Sequence, residues 1–352
     1  PYTSDFSGAK EKYGFDPYAR SSHARETIND SVEVLFIGGG FSALLTSARL
    51  REKGIESIRI VERAGDVGGT WYWNRYPGVA CDVISYDYLP LLDEMNYVPK
   101  RRYSGGEEIL EHSRAIARKY GLYDLAVFQT TVTSTVWNSD EKMWHVRTDR
   151  DDLMRARFVV CANGTLSKPK LAKIEGIDEF SGHSFHTSRW DYDYTGKDLE
   201  NLSDKRVGII GTGATAVQAI PELGKRAKEL FIFQRTPSSI DIREDWETDP
   251  EWASQRPKGW QAARREKSLK AVEPSEAQLA EFSTISREEK IRRQENANID
   301  YMMRIHRRIE RDVEDPEVAE SLKPWYMFMC KRPCFHNEYL PTFNRSNVHL
   351  VD

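Results

Sequence analysis

Cysteine is scarce in this chain, and its placement excludes several chemistries. Four occur among 352 residues: Cys81, Cys161, Cys330 and Cys334. They build neither a disulfide ladder nor the paired spacing of a zinc site, so no metal is expected. No Cys-x(4)-Cys pair follows the first glycine turn, which argues against a dithiol reductase. Idle thiols fit a reducing compartment, and a cytoplasmic location is the expectation. An excess of basic charge is also missing. The 51 Lys and Arg stand against 55 Asp and Glu, so no basic face is expected for nucleic acid. There is no apolar run of membrane-spanning length and no secretory h-region near the N-terminus. What is left is a globular chain long enough for two domains, each with its own core.

Two segments stand out against this background. The first reads Val34-Leu35-Phe36-Ile37-Gly38-Gly39-Gly40-Phe41-Ser42-Ala43, the second Val207-Gly208-Ile209-Ile210-Gly211-Thr212-Gly213-Ala214-Thr215-Ala216. Each is a short apolar strand, a glycine turn and the start of a helical pattern. The first glycine permits the tight turn, and the second lets the backbone approach a pyrophosphate. Ala43 and Ala216 are small enough for the third position, where helix packs on strand. The helix N-terminus then offers free amides and a partial positive charge. In such units the residue ending the second strand meets the ribose. Glu62 stands at the same interval after Gly38 as Arg235 after Gly211. The acid can accept hydrogen bonds from ribose hydroxyls, whereas Gln234-Arg235-Thr236 suits a 2′-phosphate. The two units therefore predict two different nucleotides, FAD in the first and NADPH in the second.

The rest of the chain organises around these units. Residues 1–30 are polar and turn-rich and read as an N-terminal extension wrapping the surface. The first unit is predicted as strand Val32–Ile37, helix Phe41–Lys53 stopped by Gly54, and strand Ile58–Glu62. Residues 65–90 read as a glycine- and aromatic-rich loop, and Glu107–Tyr120 has helical periodicity. Thr130–Trp137 and Met143–Thr148 alternate as a hairpin, followed by an apolar strand over Arg157–Ala162. Residues 164–200 are a connector, and Arg206–Arg235 forms the second unit. From 245 to 322 charged helix formers dominate, including Glu288–Arg311, and are given no chemistry of their own. Asn347–Val351 reads as a strand.

Two further segments carry chemistry. Gly69-Thr70-Trp71-Tyr72-Trp73-Asn74-Arg75-Tyr76-Pro77-Gly78-Val79-Ala80-Cys81-Asp82 follows the first unit directly, which places it over that unit's cofactor. Phe180-Ser181-Gly182-His183-Ser184-Phe185-His186-Thr187-Ser188-Arg189-Trp190-Asp191 lies on the connector, where closure between nucleotide domains is transmitted. A plainer reading makes His186 and Trp190 structural groups of a linker.

Taken together, these segments resemble the class B flavoprotein monooxygenases and, within them, the Baeyer–Villiger monooxygenases. The family fingerprint Phe-x-Gly-x-x-x-His-x-x-x-Trp, followed by Pro or Asp, is matched by Phe180, Gly182, His186, Trp190 and Asp191. A second signature, Gly-x-Trp-x-x-x-x-Tyr-Pro-Gly-x-x-x-Asp, is matched by Gly69, Trp71, Tyr76, Pro77, Gly78 and Asp82. Cys161-Ala162-Asn163-Gly164 is similar to the link that ends the family's first domain, with Asn163 for the usual Thr or Ser.

The resemblance implies an α/β fold with two Rossmann-like dinucleotide-binding domains and a helical insertion in the NADP domain. The implied division is an extension over 1–30, the first part of an FAD domain over 31–165, and a fingerprint-bearing connector over 166–200. The NADP domain would cover 201–244 and 323–352, interrupted by the insertion at 245–322. The implied FAD contacts are Gly38, Gly40, Phe41, Ser42, Glu62, Gly69, Thr70, Trp71, Asp82, Tyr88 and Val132. Those for NADP are Thr212, Gly213, Ala214, Thr215, Ala216, Gln218, Arg235, Thr236 and Lys331. Arg332 would stabilise an anionic flavin C4a-peroxide and its ketone adduct, with Asp82 holding the guanidinium. The implied reaction uses NADPH and O2 to insert one oxygen beside a ketone carbonyl, giving an ester or lactone.

Two departures qualify this pattern. Ala80 stands where many relatives carry an arginine. The family's chains also continue past the position of Asp352 to complete the first domain's sheet and part of the substrate pocket. The alternatives are an N- or S-oxygenating relative, which Trp190-Asp191 speaks against, and a nucleotide-binding remnant without catalysis.

Overall fold

The computed structural model describes residues 15–19, 24–166, 168–172 and 174–352. The extension expected over 1–30 falls largely outside them. The chain divides into two compact units. The first gathers the chain up to Tyr76 with Tyr88–Tyr97 and Ser104–Asp191, and the second gathers Pro77–Asp87, Val98–Tyr103 and Tyr192–Asp352.

The first unit is built on a six-stranded sheet ordered β3-β2-β1-β6-β5-β4. Its elements are β1 (Asn29–Ile37), α1 (Phe41–Glu52), β2 (Ile58–Val61), α2 (Gly106–Lys119), β3 (Ala126–Val127), β4 (Val132–Asn138), β5 (Met143–Thr148) and β6 (Leu153–Cys161). β1 pairs in parallel with β2 and β6, while β4, β5 and β6 form an antiparallel meander. Alternation along β1 feeds two cores. Val34 and Phe36 pack with Ala43, Leu44, Ile60 and Ile116, whereas Leu35 packs with Val61, Val146 and Met154. Gly54, at φ +81°, ends the first helix as its position predicted.

Two strands run longer than their apolar residues suggest. Asn29–Ser31 joins β1 because it pairs with Leu153–Arg155, which likewise starts β6 before Arg157. Polar partners support that exposed stretch, with Arg155 donating to Asn29 Oδ1 at 2.8 Å and Arg157 to Glu33 at 2.6 Å. The 65–90 loop also contains helical turns at Thr70–Trp73 and Ser85–Tyr88. The first of these turns buries Trp71, Tyr72 and Trp73 together.

The second unit centres on a parallel three-stranded sheet ordered β11-β8-β7, with β7 (Arg206–Ile210), α3 (Ala214–Arg226), β8 (Glu229–Phe233) and β11 (Val348–Val351). β9 (Ile240–Asp241) and β10 (Cys334–Phe335) make a separate parallel pair. The charged stretch is helical, with α4 (Trp260–Val272) and the long α5 (Arg287–Asp312). Ser286 caps α5 by accepting from Glu289 N–H, and Ile305, Arg308 and Ile309 are its buried face. These are two Rossmann-like α/β units with a helical insertion in the second.

Candidate active site

In the first unit, Gly38 is forced to be glycine. Its φ is +110°, and a Cβ would stand 2.6 Å from Ala162 O. Gly40 differs: its φ is −83° and a Cβ would meet Gly69 Cα at 3.5 Å and Gly69 N at 3.9 Å, ordinary contacts. Packing alone therefore does not demand glycine at 40, but a ligand drawn up against the backbone would. No side chain caps α1 and its first turn holds no acid, so its amides suit an anion.

Glu62 is 6% exposed and accepts from the N–H of Gly39 and of Ala64, the latter at 2.7 Å. Burial pushes its pKa up, against the pull of those amides and of Arg63. These bonds leave the carboxylate further acceptor capacity, open to hydroxyl donors. Above the turn, Trp71 Nε1 donates to Tyr88 Oη at 2.9 Å, and the Phe41 and Tyr88 rings lie 5.8 Å apart. Thr70 is exposed on the same turn, Ser42 follows Phe41 on α1, and half-buried Val132 opens β4. A cavity of about 590 Å³ adjoins the Gly65–Asp66 loop, lined by Tyr18, Tyr72, Arg25, Arg75 and Arg150. No sequence pattern announced it, because its arginines come from separate elements.

The fingerprint segment has a mechanical logic within the same unit. A Cβ on Gly182 would strike the Phe180 ring at 2.5 Å, so the ring and this glycine go together. His186 Nδ1 accepts from Ser188 N–H at 3.1 Å and caps the turn Thr187–Arg189. Burial, with the nearby Arg189 charge, lowers the His186 pKa to about 4. Trp190 is buried against Phe185, with ring centroids 5.1 Å apart, and Asp191 contacts His183 at 2.9 Å.

Sequence reasoning passed over Arg189. It is 2% exposed, stacks on Trp73 at 3.8 Å and donates from Nε to Phe15 O at 2.9 Å. Burial, with Arg63 adding repulsion, lowers its pKa to about 10. A cation set between two aromatic-rich motif positions was the available signal.

In the second unit, Gly211 has φ +101°, and a Cβ on Gly213 would meet nothing within 4 Å. The space beside Gly213 and the uncapped, acid-free start of α3 again suit a phosphate. Ala214, Thr215 and Ala216 form the first turn of α3. Thr212 Oγ1 donates to Thr236 O at 3.0 Å, and Ser238 donates back to Thr212 O. Exposed Arg235 sits on this stitched loop. Tyr326 Oη donates to Pro237 O at 3.0 Å, and Lys331 Nζ lies 5.1 Å from the Tyr326 ring centroid. The loop of Arg235 and the segment of Lys331 are thereby tied together.

Arg332 and Asp82 form an ion pair in this unit, Nε donating to Oδ2 at 3.1 Å and Nη2 to the same oxygen. Asp82 is carried by a segment docked on α3. Gly78 has φ +76°, and a Cβ there would lie 2.4 Å from Gln218 O. The Gln218 side chain engages Ala80 at both ends, donating to its O at 2.9 Å and accepting from its N–H at 3.4 Å. Arg243 Nη2 donates to Cys81 O at 3.2 Å. Arg332 itself is two-thirds exposed, just before β10.

The chain matches the pyridine nucleotide-disulphide oxidoreductase family over residues 35–299. It is 47% identical to neopentalenolactone D synthase of Streptomyces avermitilis, over 97% of this chain and 61% of that protein. It is 45% identical to a Baeyer-Villiger monooxygenase of Streptomyces coelicolor, over 99% and 62% respectively. Among solved structures, the polycyclic ketone monooxygenase of Thermothelomyces thermophila superposes with a TM-score of 0.86 at 38% identity, covering 96% of this chain and 61% of that one. A steroid monooxygenase bound to NADP gives 0.78 at 34% identity, covering 92% and 65%. The chain thus spans about three-fifths of the length of the curated relatives it matches. It belongs to the pyridine nucleotide-disulphide oxidoreductase family, and its relatives at 45–46% identity include proteins named Baeyer-Villiger monooxygenases.

Proposed function

We propose that this chain carries the nucleotide-binding machinery of an NADPH- and O2-dependent monooxygenase that inserts one oxygen atom beside a ketone carbonyl, giving an ester or lactone. The observation that carries the reading is the Asp82–Arg332 pair, built into the unit whose glycine turn ends in Arg235 rather than an acid. FAD would activate O2 and NADPH would supply the hydride when bound.

The chain's own residues bind, orient and hold charge. Gly38, Gly40, Phe41 and Ser42 cradle the FAD pyrophosphate, Glu62 takes its ribose, and Gly69, Thr70, Trp71, Tyr88 and Val132 complete its contacts. Thr212–Ala216 cradle the NADP pyrophosphate, and Arg235, Thr236 and Lys331 take the 2′-phosphate. Arg332 is the catalytic residue: its guanidinium keeps its charge at any working pH and stabilises negative oxygen during attack on the carbonyl. Asp82 positions it. The fingerprint residues Phe180, Gly182, His186, Trp190 and Asp191 shape the connector.

The domain division follows the same reading along the sequence, with FAD over 31–165, connector over 166–200, NADP over 201–244 and 323–352, and insertion over 245–322, although Pro77–Asp87 and Val98–Tyr103 pack in the second compact unit. A cytoplasmic setting agrees with four cysteines outside any disulfide and a need for NADPH. The test is NADPH consumption by the full-length protein against linear, cyclic and aryl ketones, with product analysis. Ketone-dependent consumption with ester or lactone formed is the expected result. Consumption that no ketone alters, without oxygenated product, would overturn the assignment.

A further inference from the structure

We propose that Arg243 and Gln218 are positioning residues for the Asp82–Arg332 pair. The inference rests on the reading of that pair as the reaction's charged centre. Asp82 and Arg332 lie 250 positions apart in sequence, so their meeting depends on two separate segments being held to a common frame. One segment, from Pro77 to Asp82, has no regular structure of its own beyond an isolated bridge at Ala80. The other runs through Lys331 into β10, which pairs with β9 through Cys334–Ile240 and Phe335–Asp241 only.

Arg243 binds both segments. Its guanidinium donates to Cys81 O, the carbonyl directly before Asp82, at 3.2 Å. Its backbone N–H donates to Asn337 Oδ1 at 2.9 Å, and its carbonyl accepts from Asn337 Nδ2 at 2.8 Å. Asn337 stands two residues past Phe335, as Arg243 stands two past Asp241. The Asn337 side chain therefore prolongs the short β9–β10 ladder by a further rung.

Gln218 secures the first segment from the other side. Its amide engages Ala80 O and N–H together, and Gly78 lies against its backbone carbonyl. A side chain held by main chain at both ends acts as a clamp on that segment, whatever else it offers a nucleotide. The two contacts fix residues 80 and 81 in sequence, which leaves Asp82 little freedom to swing from Arg332.

A guanidinium and an amide at these places do more than fill space. Replacing either with methionine keeps side-chain bulk and removes the donors. In the full-length protein, Arg243→Met and Gln218→Met should each lower product formation about 10- to 100-fold. For Arg243→Met the NADPH KM should stay unchanged, and in both variants consumed NADPH should be diverted to hydrogen peroxide. Neither change should lower the activity of Arg332→Ala further, because each acts through that arginine. Arg243→Lys, which keeps a charged donor for Cys81 O, should recover most of the coupling.

Hydrogen exchange on the cofactor-free protein gives a reading independent of turnover. Amides of residues 79–83 should exchange faster in both Met variants, while those of α5 stay unchanged. Losses that multiply in the Arg332→Ala background would overturn the proposal. Unchanged exchange at 79–83 would overturn it too. Should Arg332→Ala itself oxygenate normally, the proposed function fails, and exchange at 79–83 still decides whether these residues hold the segment. If Arg243→Met does not fold, Gln218→Met and Arg243→Lys carry the same comparisons.

Discussion

Replacing Arg332 with alanine should separate stability from chemistry. The Arg332 side chain is 65% exposed and Asp82 is 22% exposed, so their ion pair is largely screened by water. Exposed pairs of this kind contribute about 0–1 kcal/mol. Thermal denaturation should therefore move by no more than about 4 °C for a chain of this size. The kinetic effect should be much larger. A preorganised charged donor facing a developing oxyanion is worth about 100- to 1,000-fold in rate, or about 2.7–4 kcal/mol. Arg332→Ala should thus keep its flavin, still accept hydride from NADPH, and lose ester or lactone formation. Consumed NADPH should then appear as hydrogen peroxide. Stopped-flow flavin absorbance, peroxide titration and product chromatography measure the three quantities separately. Ketone oxygenation near the wild-type rate would refute the assignment and return Lys331-Arg332 to a phosphate contact. A large drop in melting temperature would show that the pair is structural.

Four further outcomes follow from the same geometry. Arg235→Ala should raise the KM for NADPH strongly and that for NADH little, since only the former has a 2′-phosphate to lose; equal effects would sink the assignment. Gly40→Val should leave the apoprotein folded, its Cβ being 3.5 Å from the nearest main chain, yet abolish FAD binding, and full flavin absorbance would contradict this. Gly78→Ala should destabilise the second unit by at least about 1–2 kcal/mol through its φ of +76° and its approach to Gln218 O, read by denaturant unfolding. Finally, burial holds His186 and His336 near pKa 4, below their unfolded value of about 6.5. The unfolded chain then binds more protons between pH 6.5 and 4. Stability should be complete above pH 6.5 and fall as pH drops through that window, by up to about 1.4 kcal/mol per pH unit for each histidine. A flat profile would contradict their burial as neutral rings.

What the sequence made legible was short-range. Both glycine turns, the Gly54 stop and the helices around Gly106–Lys119 and Arg287–Asp312 follow from local periodicity and backbone freedom. The longer β1 did not, because Asn29-Asp30-Ser31 carries no strand signal and becomes strand only through Leu153–Arg155. Site chemistry divides the same way. Glu62 and Arg235 could be picked out by interval alone. The clamps on Ala80 and Cys81 could not, since Gln218 and Arg243 reach them across 138 and 162 positions. Arg189 was hidden for a different reason: composition treats arginine as a surface residue, whereas the Trp73 stack and bonds to Phe15 O and Ser188 O support its burial.

The fingerprint residues show what a strict motif can be strict about. His186 is the group a chemist would first suspect of proton transfer, being the side chain that titrates near neutrality. Its surroundings argue otherwise. Nδ1 is occupied by Ser188, and burial beside Arg189 keeps the ring neutral down to about pH 4. A base held that far below neutrality has little driving force to take a proton at pH 7. What the ring does is end one extended segment and start the turn that buries Arg189 and Trp190. Arg189 then lies on Trp73, a residue of the Gly69–Asp82 signature. One motif thus packs its turn against the other through this contact. His186→Asn keeps a capping acceptor at the start of the turn. It should therefore retain more flavin and more coupling than His186→Ala in the full-length protein, where a proton-transfer role would leave both variants equally dead.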